Sequence, residues 1–200
     1  PNYNPKPEES IDAMAKEKGM TAAELAYEIL IENDGNNFIY APLVNYADHT
    51  FGVCKKMLDD KNAIMGLGDG GAHVGFILDA GYPTWLISYW SVKKKAFSME
   101  ETVRRLTSDT ASAAGLNDRG ILKVGLKADI NIIDWENVGS SDPFMTQDLP
   151  AGGKRLMQHT KGYVATIVSG KVTYKNGEFT KERPGTVVKS VKDEEKTLEF

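Results

Sequence analysis

The residues best suited to chemistry lie in a short glycine-rich segment in the first half of the chain. Asp69 follows the apolar run 63–68 and precedes Gly70, Gly71 and, after one alanine, His73. A carboxylate where a short strand ends can bind a metal, or take a proton from water and return it to a leaving nitrogen. The glycines would let the loop backbone approach a substrate without side-chain clash. Taken alone, this pattern favours a structural turn, because Asp and Gly are ordinary turn residues, and a catalytic aspartate at position 69 is the alternative.

Other polar side chains are weaker candidates. His73 could face the substrate or stabilise its own loop, and Asp79 in the same segment is read as a helix cap. The remaining histidines and the cysteine are interpreted as structural: His49, His159 and Cys54. Trp85, Tyr89, Trp90 and Phe97 recur near helical spacing and predict a buried aromatic stripe.

A second pattern follows at residues 119–134, which read Arg-Gly-Ile-Leu-Lys-Val-Gly-Leu-Lys-Ala-Asp-Ile-Asn-Ile-Ile-Asp. With the segment 66–73 and the shorter runs 104–107, 109–111, 148–153 and 162–165, it resembles the amidohydrolase superfamily. The closest resemblance is to the D-aminoacylase branch (N-acyl-D-amino-acid deacylases), and it covers about residues 40–185. Relatives often carry Ser where this chain has Gly68.

The resemblance implies a zinc-dependent hydrolysis of an amide C–N bond in an N-acyl amino acid. Asp69 would be the catalytic acid/base and a possible metal ligand, with Gly70, Gly71 and His73 around the substrate. Such a site also needs a His-x-His pair and two later histidines, whereas this chain has three histidines and no such pair. We therefore expect zinc in the full-length enzyme and little metal affinity in this chain alone.

The implied fold is α/β: the C-terminal part of a (β/α)8 (TIM) barrel, followed by part of a small antiparallel β-sandwich. The first region alternates helix-like and strand-like segments, with parallel strands predicted at 38–41 and 63–68. A whole barrel takes roughly 250 residues, so only its final portion is expected here. The predicted domains are 1–116 for the barrel units, 117–188 for the sandwich portion and 189–200 for a charged tail.

The helices predicted to position these residues cover 8–18, 21–35, 46–58, 84–97 and 98–115. Gly19 and the Thr21–Glu24 capping box mark helix boundaries. In the second region, Ser169-Gly170 and Asn176-Gly177 are two-residue hairpin signals. Residues 140–153, rich in Gly, Pro and Asp, predict a long loop.

Composition limits the classes of partner. The net charge of −4 and pI near 5.5 argue against a nucleic-acid surface. No apolar stretch reaches the ~20 residues of a membrane span. The single cysteine fits a reducing compartment, so a cytoplasmic location is expected. The uncovered edges and apolar faces of a partial barrel predict self-association or pairing with a missing N-terminal portion.

Three alternatives stay open on the sequence. One is a cyclic-amide hydrolase resembling dihydropyrimidinases, because the Gly-x-x-Ala-Asp run is widely shared. Another is a shortened, non-catalytic relative that acts as a binding or assembly module. The third is an enzyme split over two chains, in which the other chain carries the histidines.

Overall fold

A computed structural model of the 200-residue chain describes residues 2–66 and 68–189. The described residues form two compact units, one comprising 2–63 with 144–155 and the other 64–143 with 156–189. Apart from residue 189, the predicted charged tail lies outside the described residues. The predicted domain boundaries at 116 and 188 stay predictions.

The helices of the first unit are α1 (Ile11–Lys18), α2 (Ala22–Gly35) and α3 (Gly52–Asp59), preceded by a 3-10 turn at Pro7–Glu9. The first two begin at side-chain caps, whereas α3 has none. The Ser10 hydroxyl accepts from the Ala13 N–H and starts α1 three residues later than predicted. Gly19 ends α1 at φ +70, and Thr21 and Glu24 form the predicted capping box of α2.

The predicted helix over 46–58 is correct only in its second half. Residues 46–50 form turns instead, with His49 at φ +56 and the Asp48 carboxylate accepting from the Thr50 N–H and hydroxyl. This local hydrogen bonding competes with helix formation, so α3 begins only at Gly52.

The second unit contains the aromatic core. Helix α4 (Tyr82–Trp85) continues as a π-helical segment, Leu86–Lys93, and is followed by α5 (Met99–Leu106) and α6 (Ser108–Ala113). Tyr89, Trp90 and Phe97 are buried and Trp85 is half-buried, which confirms the predicted aromatic stripe. Thr107 breaks the helix predicted over 98–115, because its backbone leaves the helical region.

The β region consists of short strands. They are β1 (Ile130–Ile133), β2 (Gly139–Ser140), β3 (Phe144–Leu149), β4 (Gly153–Met157), β5 (Thr160–Lys161), β6 (Tyr163–Val168), β7 (Lys171–Lys175) and β8 (Glu178–Phe179). Strands β1, β6, β7 and β8 form an antiparallel sheet in that order, while β2 pairs with β5 and β3 with β4. The predicted antiparallel region and both hairpins are confirmed.

Three sequence predictions are wrong in this structure. Residues 38–41 and the described part of 63–68 are irregular rather than parallel strands. Ile39 and Ile64 are exposed there, and a strand forms only where neighbours pair its backbone groups. The predicted loop at 140–153 instead holds β3 and a 3-10 turn at Pro150–Gly152 that leads into β4.

The chain is therefore a mixed α and β protein with antiparallel sheets, and the barrel remains a prediction. In the part of the chain that the structure describes, no helix is long and apolar enough to cross a membrane.

Candidate functional site

Asp69 lies on an irregular loop of the second unit, with its side chain exposed to solvent. Its backbone N–H donates to Oδ2 of Asp79 at 2.6 Å, a short charge-assisted hydrogen bond across ten residues. Its carbonyl oxygen accepts from the Ala72 N–H at 3.0 Å and closes a turn. Among the described residues, no hydrogen bond or ion pair engages the Asp69 carboxylate. The backbone at this position is therefore fixed while the carboxylate stays available.

The glycines around Asp69 either pack closely against the rest of the loop or have a positive φ. A Cβ at Gly68 would lie 2.9 Å from the Asp79 carbonyl oxygen, and one at Gly70 would lie 2.8 Å from the Ala80 Cβ. Gly71 has φ +106, a conformation that other residues rarely adopt. The loop backbone thus packs directly against residues 79–80, and a side chain at 68 or 70 would require the two segments to move apart.

His73 lies in the same loop, and among the described residues it makes no hydrogen bond or ion pair with the Asp69 carboxylate. Its φ is +47, and its carbonyl oxygen accepts from the N–H groups of Phe76 and Ile77. Its ring packs on Phe76 with centroids 5.1 Å apart. The Val74 carbonyl accepts from the Leu156 N–H at 2.7 Å, which ties this loop to β4.

Asp79 makes a contact that the sequence interpretation did not predict. It was expected to cap the following helix, but α4 begins after Gly81 with no side-chain cap, and the Asp79 carboxylate points to Asp69 instead. Its other oxygen, Oδ1, is buried and has no hydrogen-bond partner within residues 2–66 and 68–189. The signal in the sequence was a second carboxylate in the same glycine-rich segment.

The described residues do not fit a metal centre. Across residues 2–66 and 68–189, no group of three His, Cys, Asp or Glu side chains could hold a metal ion. His49 and His159 are exposed. A metal-ligand role for Asp69 therefore stays a prediction.

Cys54 is unsuited to nucleophilic chemistry. Burial raises the pKa of its thiol, which keeps it protonated at neutral pH. Its sulfur approaches the Asn45 carbonyl at 3.7 Å. The structural interpretation of this residue agrees with these contacts.

Comparisons with known proteins point to one family. The sequence model of the amidohydrolase family matches residues 7–174. The chain is also similar to a dihydroorotase of Lactobacillus acidophilus, with 34% identity over 89 residues. That match covers 42% of this chain and 20% of the dihydroorotase, so the chain spans a minor part of the relative's length. No solved structure matches the chain.

Proposed function

The chain belongs to the amidohydrolase family, and from this premise we propose that it supplies the proton-transferring carboxylate, Asp69, of an enzyme that hydrolyses an amide C–N bond. At the level of the family, this places the chain among hydrolases that act on C–N bonds. The finer assignment rests on one observation: an exposed carboxylate with no partner among the described residues, on a loop whose backbone is pinned.

The proposed role of Asp69 is proton transfer. As water adds to the amide carbonyl, the carboxylate accepts one of its protons while the new C–O bond forms. Asp69 then returns this proton to the nitrogen as the C–N bond breaks, and the products are a carboxylic acid and an amine. A solvent-facing carboxylate on a held loop suits both steps, since it must meet water and then the leaving group.

The family is typically metal-dependent, and zinc is the cofactor that we propose for the full-length protein. Its ligands would have to come largely from outside the described residues, because those do not form a metal site. The cytoplasmic location inferred from the single cysteine is part of the same proposal.

For the substrate, we propose an N-acyl-D-amino acid, on the strength of the motifs shared with D-aminoacylases at 66–73 and 119–134. The similarity to a dihydroorotase favours a second candidate, a cyclic amide whose ring is opened by the same chemistry. The two differ in products, since a linear amide releases two molecules and a cyclic one releases a single ring-opened acid.

The test uses the full-length gene product, purified with zinc, on a panel of N-acyl-D-amino acids, their L-enantiomers and five- or six-membered cyclic amides. Hydrolysis of the D-enantiomers would support the first substrate class, and ring opening alone would support the second. Asp69→Asn keeps the shape of the side chain but cannot accept the proton, and about 100-fold or greater loss of kcat is expected. Near-normal turnover by Asp69→Asn, or hydrolysis of neither class, would contradict the proposal.

A further inference from the structure

The carboxylate of Asp79 contacts the main chain of Asp69 within the glycine-rich loop. We propose that Asp79 is a positioning residue that holds the backbone of Asp69 through the bond from the Asp69 N–H to Oδ2. This inference rests on the proposed role of Asp69 in proton transfer. Asp79 acts through Asp69 and does not itself exchange a proton with the substrate.

The contact between the two aspartates is reinforced on both sides. Gly68 packs against the Asp79 main chain and carboxyl group, and Gly70 packs against Ala80. Residues 68–70 are thereby held against residues 79–80. Since a displacement of about 1 Å at a reacting group can cost two orders of magnitude in rate, holding this loop has a direct consequence for turnover.

The second oxygen of Asp79 argues against a purely stabilising role. Oδ1 is buried without a hydrogen-bond partner among the described residues, and an unsatisfied buried acceptor costs about 1–3 kcal/mol. This cost offsets part of what the bond to Asp69 contributes to stability. Removing the carboxylate should therefore leave the global fold largely intact while releasing the Asp69 loop.

Two glycines of the loop, Gly68 and Gly75, allow a test variant and a control variant that each add one methyl group. In Gly68→Ala the added methyl group would meet the Asp79 carbonyl oxygen at 2.9 Å, which should push the two segments apart. In Gly75→Ala the added methyl group would meet no atom within 4 Å, and the φ of Gly75 is not positive. Gly75→Ala is therefore the control for adding one methyl group to the same loop.

The experiment compares Asp79→Ala, Asp79→Asn, Gly68→Ala and Gly75→Ala in the full-length, zinc-loaded protein by steady-state kinetics and thermal unfolding. Asp79→Ala and Gly68→Ala should lower kcat by about tenfold or more with little change in KM or melting temperature. Asp79→Asn should recover most of this loss, because its amide oxygen can accept the same N–H. Gly75→Ala should behave like the wild type.

A readout independent of activity is the hydrogen exchange of the Asp69 amide, followed by NMR in protein labelled at aspartate. The amide should be protected in the wild type and Asp79→Asn, and should exchange faster in Asp79→Ala. Wild-type kcat in Asp79→Ala, or an unprotected amide in the wild type, would overturn the inference. Loss of folding in both Asp79 variants would overturn it too, since Asp79 would then be a stability residue. Retained activity in Asp69→Asn would instead defeat the proposed function.

Discussion

At the scale of single residues, Arg119 joins two parts of the second unit. Its guanidinium contacts Asp118 at 2.9 Å and Asp129 at 2.7 Å, and its side chain is mostly shielded from solvent. The other oxygen of Asp129 accepts from the Ser169 N–H at 2.8 Å. Arg119 therefore connects the chain before β1 with the turn between β6 and β7, through the carboxylate of Asp129.

This arrangement predicts a pH dependence of stability. The hydrogen bond from Arg119 holds the pKa of Asp118 below its ordinary value, and the pKa of Arg119 is raised in turn. Because the pKa of Asp118 is lower in the folded state than the unfolded value of about 3.9, its contribution is present above that pH. It is lost as the pH falls through the folded-state pKa.

The check is the midpoint of urea unfolding measured from neutral pH down to strongly acidic pH. Asp118→Asn and Arg119→Met should both lower stability at neutral pH and both flatten its decline in acid. An unchanged acid slope in Asp118→Asn would show that this pair does not contribute to the pH dependence.

At the scale of elements, the two hairpins of the four-stranded sheet differ at one position. Ser169 and Gly170 have φ values of +48 and +77, and Asn176 and Gly177 have +49 and +84. Both turns thus place two consecutive residues in the left-handed region, as a type I′ turn requires. Asn tolerates this conformation better than Ser, because its short amide side chain can hydrogen-bond locally.

Exchanging the residues should therefore change stability in opposite directions. Ser169→Asn is expected to stabilise the protein by about 0.5 kcal/mol, and Asn176→Ser to destabilise it by a similar amount. The Ser169 N–H that binds Asp129 belongs to the backbone and is kept in the variant. Denaturant midpoints of the two single variants and the double variant measure both effects, and changes of the same sign would contradict the turn assignment.

The same elements show why parts of the fold could be predicted from sequence. The helix end at Gly19, the Thr21–Glu24 box and the hairpin turns depend on residues within a few positions of one another, and all are present. The strands predicted at 38–41 and 63–68 depended on distant partners, and without a neighbouring strand their apolar residues are irregular and exposed. In 140–153, the glycines and prolines indicated a loop, and the strand β3 next to them was therefore not predicted.

In the candidate site too, only the features that depend on neighbouring residues could be predicted from the sequence. A carboxylate followed by glycines is a local pattern that made Asp69 a candidate, and the resemblance of 66–73 and 119–134 to a known family made it the predicted acid/base. The bond between Asp69 and Asp79 could not be inferred, since it joins two points of an irregular loop that no periodicity places together. The packing of Gly68 on Asp79 is likewise visible only in three dimensions.

At the scale of the whole molecule, both units expose large apolar side chains. Leu43 and Val44 in the first unit are 80% and 76% exposed, and Leu122 and Val124 in the second are 81% and 101% exposed. Single exposed hydrophobic residues are ordinary, whereas large contiguous apolar patches mark surfaces that other protein covers. Burying one such side chain is worth about 1.5–3 kcal/mol, so burial of either pair favours association.

We therefore predict that the isolated 200-residue chain self-associates reversibly, with an average mass that rises with concentration in sedimentation equilibrium. The double variants Leu43→Lys/Val44→Lys and Leu122→Lys/Val124→Lys should each shift the equilibrium toward monomer, because a charged side chain cannot be buried without a partner. Asn62→Lys/Asn117→Lys adds the same two charges at exposed polar positions and should associate like the wild type, which separates loss of apolar contact from simple repulsion. A wild-type chain that remains monomeric at every concentration would show that these side chains are not an interface.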